Sequence, residues 1–287
     1  MRSLIVFAAI VVALLATLSL IAADDKFQAG DFVKQHLNSI GPEQARDAVK
    51  NRGAGGTVIF ELVTGGTEHQ EGKEMLVSEG DKLVSLFDLP NHHYPGERFV
   101  SNGKKVYVAE TAASVHSALG EFVMVHNEIL TEGLWGGTLS TAWALAHIDE
   151  RRAKLEDRGL KKVDGRDLHR VDYLPKKPTD LQIELYFEPD TFRHVMTVYS
   201  AETSPSMSHS RSDNLRQGEK HYRLEERFAD FKTVDNLSLP SRWTIQFSSD
   251  AAGRYAAHSD NKTYEFDVTE TAISDNIQVN PQNFEVK

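Results

Sequence analysis

The chain has 287 residues, with 32 Lys+Arg against 42 Asp+Glu for a formal charge of −10, and it contains no cysteine. That charge repels phosphate backbones and argues against nucleic-acid binding. The missing cysteine excludes disulfides, thiol nucleophiles, thiolate metal sites, iron–sulfur clusters and lipid attachment at an N-terminal Cys.

Arg2 is followed by an uncharged, strongly apolar run from Ser3 to Ala23, closing on Ala22-Ala23 before Asp24-Asp25. This is the layout of a secretory signal peptide over residues 1–23, cleaved after Ala23. An uncleaved anchor is the alternative, since about 20 apolar residues span a bilayer. Both place residues 24–287 outside the cytoplasm, and a cysteine-free exported chain suits a bacterial periplasm.

Phe32, Val33, His36, Leu37 and Ile40 recur at helical spacing, and Gly41-Pro42 separates that helix from a second reaching Val49. Gly53-Ala54-Gly55-Gly56 reads as the break before a strand carrying Val58, Phe60 and Leu62. Strands follow around Met75–Val77, Leu83–Leu89, Phe99-Val100 and Lys105–Ala109, the last two joined at Asn102-Gly103, a strong hairpin signal. The period then changes: Leu119, Phe122, Val123, His126, Ile129 and Leu130 predict a helix over Ser114–Leu130. Gly133 and Gly136-Gly137 end it, and a shorter helix is predicted over Ser140–Glu150. Alternation returns with His169–Tyr173, then Leu181, Ile183, Leu185 and Phe187 on one face of a strand. Later strands run over Val195–Tyr199, Tyr222–Phe231, Trp243–Phe247 and Tyr264–Val268, with Glu202–Lys220 predicted as a long polar loop. No repeat or composition shift divides residues 24–287, which read as one domain. About ten strands with one apolar face each predict a mainly β fold with some helix. The sheet would be single, highly curved and antiparallel, a half-barrel whose concave face the helices cover.

Three stretches carry a family resemblance. Phe99–Val108, with its Asn102-Gly103 turn, resembles a hairpin of the LolA-like periplasmic lipoprotein carriers; Leu160–Val171, around Val163-Asp164-Gly165, is similar to their entry into the second half, and Leu185–Val195 resembles the hairpin that follows. The same half-barrel serves lipid-anchored acceptors and envelope-stress regulators. The resemblance implies an exported, non-enzymatic carrier. Its partners would be lipid acyl chains or an acylated protein, with an inner-membrane release complex or an outer-membrane acceptor. No cofactor is implied. In those carriers an arginine near the second strand closes the lid; the nearest here is Arg98, and the role is not carried over. The absence of cysteine sets the chain apart from the lipid-anchored acceptors.

The remaining polar residues give no catalytic or metal site. His92-His93 are adjacent and would point to opposite faces of a strand; no His-Glu-x-x-His spacing occurs. Gly136-Gly137-Thr138-Leu139-Ser140 lacks the glycine spacing of a nucleophile elbow, and Gly53–Gly56 has no following Gly-Lys-Ser/Thr. Trp135, Trp143 and Trp243 read as core anchors or as contacts for alkyl chains. The candidate ligand-binding residues are the inward-facing Val58, Phe60, Leu62, Ile183, Leu185, Phe187, Trp243 and Ile245, lining a space between sheet and helices. The expected function is lipid or lipoprotein carriage. The alternative is an envelope sensor or scaffold that binds a protein partner with the same face.

Overall fold

A computed structural model describes residues 27–63, 67–90, 94–110, 116–203, 219–252 and 262–286. The segment predicted as a signal peptide, His92-His93 and most of the polar loop, at 204–218, lie outside the described residues.

Two helices come first, α1 (Ala29–Ile40) and α2 (Glu43–Asp47). Strands β1 (Asn51–Val63), β2 (Thr67–Glu79), β3 (Lys82–Asp88), β4 (Glu97–Ser101) and β5 (Val106–Glu110) follow. An insert then carries α3 (Ala118–Val125), α4 (Glu128–Thr131), two 3-10 turns and α5 (Ile148–Arg151). Next come β6 (Lys154–Val163), β7 (Arg166–Leu174), β8 (Gln182–Phe187), β9 (His194–Thr203) and β10 (Glu219–Ala229). After the small hairpin β11 (Lys232–Val234) and β12 (Leu237–Leu239), β13 (Arg242–Ala252) and β14 (Lys262–Asp275) complete the sheet.

Twelve strands form one antiparallel sheet in the order β5-β4-β3-β2-β1-β14-β13-β10-β9-β8-β7-β6. The mainly β, antiparallel expectation is met. Tight turns follow the local chemistry. Asp164-Gly165 and Asp235-Asn236 both take positive φ at both positions, the hairpin geometry that such residues tolerate. Asn102 accepts the N–H groups of Lys104 and Lys105 with its side chain.

Several elements depart from expectation, among them the helix over Ser140–Glu150, which is a 3-10 turn at Ala144–His147 running into the short α5. The glycines at 53, 55 and 56 lie inside β1, where Gly56 faces Glu74 of β2 and Glu270 of β14 beside a bulge. A Cβ at Gly56 would sit 1.9 Å from the Thr269 carbonyl, so glycine here permits close strand approach. The helix over Ser114–Leu130 is two, α3 and α4, because the backbone leaves helical geometry at His126. Strand β6 was not expected; its apolar alternation is broken by a register shift between Asp157 and Leu160.

The inner face of the sheet, the one that carries the insert, holds the main core; it runs from Leu83, Phe87 and Phe99 to Val171 and Phe187. The outer face has two small clusters, one formed where Phe284 of the C-terminal segment packs on Val77, Val84 and Val100.

Candidate functional site

Period-two alternation sends the expected residues to the inner face in two patches. Val58 and Trp243 both pair with Val268, and Phe60 and Ile245 both pair with Phe266, which makes two adjacent rows; Leu62 pairs with Tyr264. On the other side of the sheet Ile183 faces Tyr199 and Leu185 faces Thr197. Seven of the eight are buried and Leu62 is partly buried, all within one core cluster.

Each patch is covered by one tryptophan of the insert. The Trp135 ring lies 5.5 Å from Trp243 and 4.9 Å from Phe99. Trp143 lies 4.5 Å from His194, whose ring is 5.4 Å from Phe187. Trp143 also donates its indole N–H to His36 Nε2 at 2.8 Å, while His36 Nδ1 is 2.9 Å from the Phe192 carbonyl. That pair of bonds makes Nε2 the acceptor and Nδ1 the donor, and so a neutral imidazole. Burial holds the His36 pKa down at about 4 and that of His194 well below the usual histidine range.

The insert makes no strand pairing with the sheet; among the described residues polar side chains fasten it. Glu226 of β10 accepts the Gly136 N–H at 2.8 Å and the Trp243 indole N–H at 3.0 Å, and Tyr199 donates to its other oxygen at 2.7 Å. Burial raises the Glu226 pKa to about 7. Arg52 donates to the Thr138 carbonyl at 3.0 Å and is itself held by Asp275 at 2.6 Å. Ser78 accepts the Thr141 N–H at 2.9 Å. Gly136 and Gly137, at φ 74° and 50°, let the insert turn closely over Leu76 and Phe228. By contrast Arg98 donates to the Asn283 carbonyl of the C-terminal segment and does not touch the insert among these bonds.

A carboxyl pair completes the inner face. Glu74 and Glu270 flank the bare position of Gly56, and none of their four buried oxygens has a hydrogen-bond partner among the described residues. Desolvation, then the neighbouring carboxylate, pushes Glu74 well above the usual carboxylate range; desolvation raises Glu270 to about 7. Both shifts favour the protonated carboxyl over the buried charge.

The sheet opens between β7 and β8. Strands β7 and β8 pair only from His169↔Phe187 to Asp172↔Glu184. Beyond that, Tyr173-Leu174 and Gln182-Ile183 part, leaving a cavity of about 240 Å³ with Tyr173, Leu174, Leu181 and Ile183 on its apolar wall and Arg170 and Lys177 among its polar groups. Ile183 is thus at once a core residue and the wall of an accessible crevice. Arg52, Glu226 and the Glu74–Glu270 pair were not anticipated. The three glutamates nonetheless share strand parity with apolar neighbours (Leu76; Leu224 and Phe228; Phe266 and Val268), a signal present in the sequence. Among the described residues no three His, Asp or Glu side chains are grouped to hold a metal ion.

No family model matches the chain, and no curated protein matches its sequence. Solved structures do match. A protein described as an outer membrane lipoprotein-sorting protein domain, from Vibrio parahaemolyticus, is 11% identical over 90% of this chain and 97% of its own, with a TM-score of 0.50. A DUF1329 family protein from Desulfovibrio piger is 12% identical over 89% and 96%, at 0.47. A LolA superfamily protein from Nitrosomonas europaea is 10% identical over 91% and 98%, at 0.46. At these identities the likeness is one of fold alone, shared with the lipoprotein-sorting protein domain.

Proposed function

We propose that the protein is an extracytoplasmic, non-enzymatic carrier that holds acyl chains of a lipid or an acylated protein against the inner face of its sheet. On this reading residues 24–287 are one exported domain, and the sheet curls into a half-barrel. Support for the curl comes from Trp135, which touches both Phe99 of β4 and Trp243 of β13. Those strands are five steps apart, roughly 24 Å across a flat sheet. The fold likeness to a lipoprotein-sorting domain is consistent with carriage.

The observation that carries the proposal is the crevice between β7 and β8. Its apolar wall, Tyr173, Leu181 and Ile183, is continuous with the core beneath the insert. An alkyl chain placed there would reach the β8 patch of Ile183, Leu185 and Phe187 and displace Trp143 from it. Each methylene buried contributes about 0.8 kcal/mol, so a chain of ordinary length needs no charged contact to bind. Native mass spectrometry of protein recovered from the cell envelope tests this: co-purified lipid supports carriage, and a bare mass from every preparation argues against it.

One observation favours a second reading. Trp135 and Trp143 already fill the inner face and are themselves buried, which suits an envelope sensor or scaffold that recognises a protein partner. Partner capture by a protein that takes up no acyl probe would favour that reading.

A further inference from the structure

We propose that the rim formed by the end of α3, the β4–β5 turn and the loop between β7 and β8 docks on an anionic lipid bilayer. Helix α3 buries Leu119, Phe122 and Val123, but its last two residues turn outward: Met124 is 39% exposed and Val125 72%. Val125 is the most exposed large apolar side chain among the described residues. It lines a groove of about 800 Å³ together with Lys104, Lys176 and Lys177. Lys105 extends the same turn. All four lysines are exposed, and none is in an ion pair among the described residues.

The acids of the groove, Glu128, Glu132 and Asp180, are outnumbered by its bases Lys104, Lys176, Lys177 and Arg151. Glu128 accepts from Thr179 and lies beside His126, and Glu132 accepts from Tyr173 at 2.6 Å. Asp180 remains exposed, and Asp81 lies beside Gly103. On a chain of net charge −10, four solvated lysines around an apolar tip form a local exception. Such a tip enters the acyl boundary while lysines meet anionic headgroups, which is the chemistry of an interfacial contact. The groove shares Pro175, Lys177, Pro178 and Thr179 with the β7–β8 crevice, so the rim would bring that opening to the lipid surface. The proposal deepens the carrier reading in assigning the membrane face, but docking does not itself require acyl uptake.

The test is co-sedimentation of the protein, as recovered from exporting cells, with phosphatidylglycerol-containing or pure phosphatidylcholine vesicles. A retained apolar N-terminal segment would bind both alike, so the readout is the difference between them. A preference for anionic vesicles that salt weakens is expected. Val125→Asp and the pair Lys176→Glu/Lys177→Glu should each reduce it at least about tenfold, each lysine being worth about fivefold near an anionic surface. The distant pair Lys161→Glu/Lys162→Glu on β6 should leave it nearly unchanged. Equal binding to both vesicles, folded rim variants that bind like wild type, or an equal loss in the β6 pair would overturn the proposal; a protein partner at this rim would give the first result. An acyl probe assayed without vesicles keeps the two readings apart, since Val125→Asp should still take up the probe. Vesicle binding without probe uptake would sink carriage and leave docking intact.

Discussion

The carboxylate of Glu226 accepts the backbone N–H of Gly136 at 2.8 Å, joining an interior strand of the sheet to the insert that covers it. The same oxygen takes the Trp243 indole and the other takes the Tyr199 hydroxyl. One buried side chain thus satisfies three donors, one of them on the insert. Glu226→Leu would leave all three without an acceptor, at about 1–3 kcal/mol each. Denaturant unfolding should show a loss of about 3–5 kcal/mol. Glu226→Gln keeps an oxygen for Gly136 and Trp243, and the Tyr199 hydroxyl can accept from the amide, so its loss should be much smaller. Equal losses in the two variants would show that volume, not the hydrogen bonds, matters at this site.

The same residue sets a pH dependence. Its pKa is raised from 4.5 to about 7 by burial, so the folded state keeps a proton that the unfolded chain has released. A raised carboxylate pKa contributes stability in full below the unfolded pKa, and that stability is lost as pH rises through the folded value. Glu270, raised to about 7, and Glu74 act in the same sense. His36 and His194 act oppositely, because their lowered pKa values cost stability as pH falls below 6.5. Between about pH 6.5 and 7.5 the glutamates therefore prevail, and the melting temperature should fall as pH rises across that window. Glu226→Gln removes one titrating proton and should flatten the slope by up to about 1.4 kcal/mol per pH unit.

Arg52 provides a second fastening. Its guanidinium meets Asp275 at 2.6 and 3.2 Å and reaches the Thr138 carbonyl, all with little solvent access. Arg52→Met leaves Asp275 buried and unpaired, a loss of about 3–5 kcal/mol. Adding Asp275→Asn should restore most of it, leaving the Thr138 carbonyl unbonded. If insert release limits acyl uptake, the folded double variant should take up probe faster than wild type in stopped-flow fluorescence.

Legibility in the sequence followed the range of the interactions. The His169–Tyr173 and Leu181–Phe187 strands were readable because period-two alternation is local, and the structure pairs them from His169↔Phe187 to Asp172↔Glu184 but not at Tyr173. Strand β6 was hidden because it is an edge strand with charges on both faces and a bulge at Gly159, where one-sided burial does not impose alternation. Gly53–Gly56 looked like a breaker because glycine at a turn and glycine at a crowded strand crossing have the same local signature; only the Thr269 backbone distinguishes them. The inward parity of Glu74, Glu226 and Glu270 was visible, but their partners come from strands and turns far along the chain. Arg52 gave no signal at all, since its meaning depends on Asp275 and Thr138 arriving together.

The candidate acyl site is tested at Phe187 and Leu185. Phe187 packs edge-on against Phe32 at 4.8 Å and lies 5.1 Å from the ring of His36, which accepts the Trp143 indole N–H. Leu185 is its neighbour on the same face, fully buried between Val171 and Thr197. Phe187→Asp places a carboxylate in apolar surroundings at a cost of several kcal/mol. It should abolish uptake of a fluorescent fatty-acyl probe, though it endangers folding, and circular dichroism must accompany the assay. Leu185→Ser is milder: it removes apolar area, leaves a cavity that Thr197 cannot fill, and supplies a hydroxyl able to find a carbonyl nearby. It should cost about 2–4 kcal/mol of stability, by analogy with other large-to-small core changes. A folded Leu185→Ser protein should therefore bind the probe several-fold more weakly if the chain lies along β8. Because the crevice wall at Ile183 is two residues away, Ile183→Ser should weaken uptake and also slow it, whereas Leu185→Ser should weaken it with little change in the association rate. Probe binding that is unaffected in both folded variants would remove β8 from the site, and a wild-type protein that takes up no probe would leave the sensor reading ahead.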